Sequence, residues 1–477
     1  MHKAAKIYAL LGVLLAVCAA AFAVSHYEER REQIKNSGEV ILEIPTDQVT
    51  ALSWTNDSGT FSFTKDETWV YEDDAAFPVD EEKISSLLSQ FESFEASFVI
   101  ENIDDYAQYG LDAPVCTIRI TAGGESYTAE LGDFSKMDEQ RYISIGDGKV
   151  YLVEHDPLDE FGVVLRDMIH NDTIPAFDTA EQIVFSGNEN YTITRDEDGK
   201  SICADDVFFD DGKPLDTASV DTFLNAVRSL NLTNYVSYNV SDEELAAFGL
   251  NEPELTIELE YTVQDAENEE TSGSLLLRLS RNQEELAAYE EAVEKGEENL
   301  PSVTCYVQIG QSQIVYEISQ DVYDQLTAVS YNDLRHQALF TADFDTVTSI
   351  DVALDSESYT FTYAPPEDQS DEDASATWTY NGEEFDVYNL RTALRSLSAS
   401  TFTEEAPAGQ EEISLTVHLD NPDFPSLTLT LYRYDGTNCL ATIDGEPVAF
   451  VPRSKTVDLI EAVNKVTLGD EEIREIS

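Results

Sequence analysis

Basic residues are scarce in this chain of 477 residues: 27 Lys and Arg stand against 95 Asp and Glu, a formal charge of −68. A protein that tracks phosphates needs a basic face to displace counterions, so the charge argues against a phosphate-tracking nucleic-acid binder. Docking on anionic lipid is disfavoured on the same ground. Cysteine is sparse as well. There are five, and no C-x-x-C pair, which leaves neither a zinc knuckle nor a thioredoxin-type motif. Cys18 lies in an apolar segment. Cys116, Cys203, Cys305 and Cys439 are far apart in strand-like runs and read as buried free thiols. A disulfide is open to them in an oxidising compartment but cannot be paired from sequence.

Chemistry-bearing motifs are missing too. The six histidines, His2, His26, His155, His170, His336 and His418, make no H-E-x-x-H or other metal spacing. His170 and His336 each follow a Leu-Arg pair, at offsets of four and one, and are read as non-equivalent and structural. There is no G-x-S-x-G elbow, Walker loop or dinucleotide glycine fingerprint. No catalytic, cofactor-binding or metal residue is therefore assigned, and the chain is read as no enzyme.

What is present begins with an address. Residues 7–24 are an uncharged run, IYALLGVLLAVCAAAFAV. At 1.5 Å rise per residue it spans about 27 Å, enough to cross a bilayer core. Three readings stand: a signal-anchor helix, which is preferred; a cleaved signal peptide, with Ala21-Phe22-Ala23 as the small-x-small site; and a lipoprotein lipidated on Cys18, where Val17 is larger than usual for that position. Lys3 and Lys6 precede the run, and Arg30, Arg31 and Lys35 follow it, so the positive-inside comparison is weak. No second apolar run exists, and all three readings place the bulk of the chain outside the cytoplasm.

The sequence repeats itself. Phe61-Ser62-Phe63-Thr64 returns as Tyr191-Thr192-Ile193-Thr194 and as Tyr359-Thr360-Phe361-Thr362, a period-two alternation of β-formers. A next strand reads Thr68-Trp69-Val70-Tyr71 in the first copy, Ser201-Ile202-Cys203 in the second and Thr377-Trp378-Thr379-Tyr380 in the third. A helix follows, capped by Asp80, Asp216 or Asp386. Its apolar positions are Ile84, Leu87, Leu88 and Phe91; Val220, Phe223, Leu224 and Val227; and Leu390, Ala393, Leu394 and Leu397. In each copy those four share one helical face. Tyr109-Gly110-Leu111-Asp112-Ala113-Pro114 matches Phe248-Gly249-Leu250-Asn251-Glu252-Pro253, a turn feeding the next strand. Tyr142-Ile143-Ser144-Ile145-Gly146 matches Tyr306-Val307-Gln308-Ile309-Gly310, of which the third copy keeps only Leu440–Gly445.

The fold class expected is α+β: three tandem repeats of a β-meander with packed helices, ordered β-β-helix-turn-β-β-β-β-helix, behind one N-terminal transmembrane helix. The domains are read as a cytoplasmic tail 1–6, signal anchor 7–24, juxtamembrane stalk 25–43, repeats 44–175, 176–342 and 343–467, and a tail 468–477. The second repeat carries an inserted acidic helix within 282–302, with Leu286, Tyr289, Ala292 and Val293 facing inward. Arg166 and Arg335, each in a Leu-Arg pair near a repeat boundary, read as interdomain ion pairs or carbonyl clamps. Three acidic clusters, Asp196-Glu197-Asp198-Gly199, Asp210-Asp211-Gly212 and Asp371-Glu372-Asp373, lack the EF-hand register. The first two read as hairpin turns in which Asp-Gly supplies a positive φ.

With its N-terminal anchor, the paired Tyr109–Pro114 and Phe248–Pro253 turns, the Trp69–Tyr71 strand and the Tyr142–Gly146 strand, the chain resembles the bacterial domain-of-unknown-function family DUF4340 over about Ile44 to Leu339. Such proteins are typically encoded beside ABC-2 type exporters with a gliding-motility-like auxiliary protein. The resemblance implies a single-pass membrane protein whose bulk is extracytoplasmic. It also implies a non-enzymatic scaffold or accessory subunit with protein partners in an ABC transporter complex. It carries over no active residue, metal or cofactor. Two alternatives from other classes are a carboxylate-dependent cell-wall or polysaccharide hydrolase and a calcium-stabilised surface adhesin.

Overall fold

The structure is a computed structural model that describes residues 38–264, 270–364 and 377–468. The apolar run 7–24, the tail before it, residues 25–37 of the stalk, the Asp371-Glu372-Asp373 cluster and residues 469–477 lie outside the described residues. Among the described residues no helix is long and apolar enough to cross a membrane. Among the described residues strand makes up 40% and helix 22%, so the described part of the protein is mostly β-sheet, with several antiparallel sheets. It divides into two compact units. The first holds residues 38–172 together with Tyr235–Val240; the second holds Thr173–Asn234 and the described residues after Val240.

The first unit contains an eight-stranded sheet in the order Trp69–Tyr71, Gly59–Lys65, Val49–Asn56, Cys116–Ala122, Glu125–Ser135, Gln140–Ser144, Val150–Val153, Phe98–Ile100. Alternation decides which side chains face inward. Strand Cys116–Ala122 buries Cys116, Ile118, Ile120 and Ala122 and turns the residues between them outward. The core centres on Trp54, fully buried and stacked on Phe63 at 5.4 Å with Phe161 edge-on at 5.6 Å. Glu39–Leu42, in the stretch read as stalk, pairs antiparallel with Phe94–Ala96. Residues of the detached segment pack here too: the Tyr238 hydroxyl donates to Asp74 Oδ2 at 2.8 Å, and its ring meets Phe77 edge-on at 5.1 Å.

The second unit holds two further sheets. One runs Lys213–Pro214, Phe208–Asp210, Tyr191–Arg195, Thr179–Gly187, Leu255–Gln264, Glu270–Arg281, Cys305–Ile309, Val315–Ile318. The other is nine-stranded: Glu383–Phe385, Thr377–Tyr380, Glu357–Ala364, Val347–Leu354, Glu411–Leu419, Ser426–Arg433, Asn438–Ile443, Glu446–Pro452, Thr401–Phe402. All three sheets place the strand that follows the helical connection beside the first strand of the meander. A register shift falls at the same place in each, between Val49 and Ala51, Ala180 and Gln182, and Val347 and Ser349. The extra residue of such a bulge brings side chains three apart to one face. Val49 and Leu52, Ala180 and Ile183, and Val347 and Ile350 are accordingly all buried.

The helices follow the expected stripes. Asp80 accepts from the Glu82 and Lys83 amides, and Asp216 from Ala218. Asp386 accepts from Tyr388, while Val387 takes the cap position itself. All twelve striped residues, from Ile84 to Leu397, are buried. In the third sheet helix Tyr388–Arg395 lies beside helix Arg453–Thr467, which packs on Glu411–Leu419, Asn438–Ile443 and Glu446–Pro452. Gly110 and Gly249 have φ of +69° and +74°, as the shared Gly-Leu turn requires. The aromatics of the two motifs meet: Tyr109 lies 5.0 Å from Tyr142 and Phe248 4.6 Å from Tyr306.

A short strand follows each striped helix, Phe98–Ile100 in the first sheet and Thr401–Phe402 in the third, where only a turn was foreseen. Ser201-Ile202-Cys203 is not the second copy's counterpart of Trp69–Tyr71. Phe208–Asp210 is, because it pairs with Tyr191–Arg195 as Trp69–Tyr71 pairs with Gly59–Lys65. Asp211 and Gly212 do take positive φ in a tight hairpin, but Gly199 does not; a Cβ there would meet the Phe209 ring. The acidic insertion is helical over Gln283–Lys295 with Asn282 as its cap. Ala292 is buried and Leu286 and Tyr289 half-buried, whereas Val293 faces outward.

Candidate functional site

The loop 196–207 of the second unit brings chemistry together. It is closed at its base, where the Asp196 amide donates to the Val207 carbonyl at 2.8 Å. Inside it, the Asp206 amide donates to the Cys203 carbonyl at 3.2 Å, a turn that sets the two side chains near each other. The Ser201 hydroxyl donates to Asp206 Oδ2 at 2.6 Å, and the Cys203 amide donates back to Ser201 Oγ at 3.2 Å. The Asp206 carboxylate is almost wholly buried, with 1% side-chain exposure.

The fourth member comes from 130 residues further on. Helix Tyr331–Leu334 is capped by Ser330 in a capping box with Asp333, and the chain then leaves it toward the third sheet. His336 follows at once. Its Nε2 lies 2.8 Å from Asp206 Oδ1 and 3.0 Å from Oδ2, while its Nδ1 lies 4.0 Å from Asp216 Oδ1. One ligand-type atom from each of Cys203, Asp206 and His336 falls within 4.8 Å of the others. Burial opposes the charged imidazolium, but the hydrogen bond and charge of Asp206, with the charge of Asp216, outweigh it and hold His336 above its ordinary pKa. Burial likewise pushes the Cys203 thiol up, and neighbouring Asp206 and Asp205 add to that.

The cluster sits where the second and third sheets meet inside this unit. Ile202 packs against the core of the third sheet. Lys200 pairs with Asp423 at 2.5 Å, and the Leu339 amide donates to the Leu397 carbonyl at 3.0 Å. Arg335 lies 3.8 Å above the Phe402 ring and 5.3 Å from Tyr331, so the expected interdomain arginine works by stacking on aromatics. Arg166, in the first unit, lies 4.6 Å from the Tyr235 ring.

His170 and His336 were read as non-equivalent by counting from Leu-Arg. Hydrogen bonding counts differently. The Asp80 amide donates to the Met168 carbonyl and the Asp216 amide to the Leu334 carbonyl, both at 2.9 Å, and each histidine stands two residues beyond that carbonyl. The positions therefore correspond. His170 is exposed, however, and the loop that corresponds to 196–207 in the first sheet is the short turn 66–68. Cys203, expected in a strand as a buried thiol, is half-buried in a turn. Cys116, Cys305 and Cys439 are buried and free, and burial pushes the first two thiols up to about 11. His418 pairs with Asp351 at 2.8 Å on the exposed side of the third sheet.

The family model described as domain of unknown function (DUF4340) matches residues 69–253 and again residues 210–415. No curated protein and no solved structure matches the chain.

Proposed function

The chain belongs to the DUF4340 family, and from that premise we propose that it is a non-enzymatic scaffold, an accessory subunit of an ABC-2 type transporter. In this reading residues 7–24 anchor it as a single-pass protein with the bulk of the chain outside the cytoplasm. The rest is three copies of one α+β unit. The observation that carries the reading is repetition: three sheets of like strand order bulge at the same position, and one family model matches twice in overlapping windows. Most of the repeated residues have structural jobs. Asp80 and Asp216 cap helices, Gly110 and Gly249 make turns, and the striped apolar residues fill cores. Repeated units of this kind offer extended surface to partners.

The test is purification of the full chain from its native membrane in mild detergent. Transporter components should accompany it, and their absence would overturn the reading. Topology is checked separately, by labelling a cysteine introduced at Gln369 with an impermeant reagent on intact cells. Labelling only after lysis contradicts an extracytoplasmic position.

A further inference from the structure

We propose that Cys203, Asp206 and His336 form a binding site for a thiophilic divalent ion of the zinc class, which ties the loop 196–207 to the segment leading into the third sheet. This goes beyond the scaffold reading and does not depend on it. The donor set is the first argument. A thiolate, an imidazole and a carboxylate together suit zinc, cobalt or iron; calcium and magnesium take oxygen donors and leave a thiolate unused.

The spacing of the donors fits as well. Donors of a four-coordinate zinc ion stand about 3.3–3.8 Å apart, given ligand distances of about 2.0–2.3 Å. The three donor atoms here lie within 4.8 Å of one another, and the imidazole nitrogen is already 2.8 Å from the carboxylate. The ion would take the place of the shared proton between Asp206 and His336.

The outer contacts are those of a ligand set. Metal-bound histidine usually directs its second nitrogen at a carboxylate, and His336 Nδ1 faces Asp216. A ligating carboxylate is itself hydrogen-bonded, as Asp206 is by Ser201. Cys203 and His336 are both half-buried, which leaves an approach from solvent and room for water as a fourth ligand. The loop that supplies Cys203 and Asp206 has no counterpart in the first sheet, where 66–68 makes the same connection. Its Ile202 rests on the third core. An ion held here would therefore stiffen the junction of the second and third sheets, a structural role.

The experiment is titration of the full-length chain, in mild detergent and stripped with a chelator, with Co2+. The wild-type chain should develop a thiolate-to-cobalt charge-transfer band and the visible bands of four-coordinate cobalt, saturating at one ion per chain and abolished by Zn2+. The many surface carboxylates bind cobalt through oxygen and cannot produce the thiolate band. Cys203→Ser should lose it, and Cys439→Ser should keep it. No thiolate band in wild type, or a band that survives Cys203→Ser, overturns the proposal and leaves an Asp206–His336 hydrogen bond with no ion.

Should Cys203→Ser fail to fold, a second readout uses wild type alone. Zn2+ should protect Cys203 from alkylation, mapped by mass spectrometry, and unchanged alkylation overturns the proposal as surely.

Discussion

Two hairpins in this protein share strand partners and differ in their loops. Gly59–Lys65 returns as Trp69–Tyr71 through residues 66–68, and Tyr191–Arg195 returns as Phe208–Asp210 through residues 196–207. The flanking registers are the same: Phe63 faces Leu52 across the sheet as Ile193 faces Ile183. The difference teaches that the sheet tolerates the longer loop because its pairing and core do not involve it. A longer loop costs little more to close. What it adds is a cluster of Ser201, Cys203 and the buried Asp206, an apolar foot at Ile202, and a partner for a histidine position whose counterpart in the other sheet has no such loop.

The strongest test of that independence is in the cores. Phe63 and Ile193 are fully buried at matching positions. Phe63→Ala should cost about 3–5 kcal/mol and Ile193→Ala about 2–5 kcal/mol in chemical denaturation. A much smaller cost for Ile193→Ala would mean that the long-loop hairpin contributes less to its core than the short one, and the comparison would break.

The next effect compares the two Gly-Leu turns. Any side chain at φ near +70° costs about 1–2 kcal/mol. At Gly110 an added Cβ would come within 2.6 Å of the Asp133 side chain and 2.8 Å of its backbone nitrogen; at Gly249 it would come within 2.4 Å of the Ser280 side chain, 2.5 Å of Gln283 and 3.0 Å of the Arg281 carbonyl. Gly110→Ala and Gly249→Ala should therefore both lower stability by more than the backbone cost alone and by similar amounts; thermal melts that separate them widely would show that the two turns are not equivalent.

Ile202→Ala probes the loop directly. It trims a half-buried side chain from the third core and should cost about 1–2 kcal/mol. No measurable loss would show that the loop's apolar foot does not bear on that core.

Cap substitutions sharpen the histidine comparison. Asp80→Ala and Asp216→Ala should each cost about 1 kcal/mol through the lost helix cap. Asp216 also accepts from the Ser219 hydroxyl at 3.0 Å and faces His336 at 4.0 Å, so any excess over Asp80→Ala measures those two contacts together.

The smallest effect lies on the exposed side of the third sheet. The Thr360 hydroxyl and then His418 hydrogen-bond Asp351 and hold its carboxyl below the usual range. A depressed carboxylate pKa gives stability that is present above the unfolded value, about 3.9, and is lost as pH falls through the folded value. Both side chains are substantially exposed, so the contribution is about 0–1 kcal/mol. Asp351→Asn should flatten that part of the acid limb; an unchanged acid limb would assign it to other carboxylates.

The apolar stripes of three helices, and the Asp80 and Asp216 caps of two of them, were legible along the chain because both are local. An aspartate before a helix and apolar residues at helical spacing act within a few turns, and all twelve striped positions proved buried. The Gly-Leu turns were legible for the same reason, since a positive φ restricts the residue itself. Other features waited for tertiary structure. The short strand after each helix carries little pattern of its own and is defined by the neighbour it pairs with. Which residues match Trp69–Tyr71 in the second copy was decided by pairing across Tyr191–Arg195, against the resemblance that pointed to Ser201–Cys203. The equivalence of His170 and His336 came from two backbone hydrogen bonds and not from the count after Leu-Arg. The Cys203–Asp206–His336 cluster was invisible in sequence because His336 lies 130 residues from Asp206. Side-chain chemistry is encoded residue by residue, but proximity between distant residues is a property of packing, and only the folded second unit brings these three together.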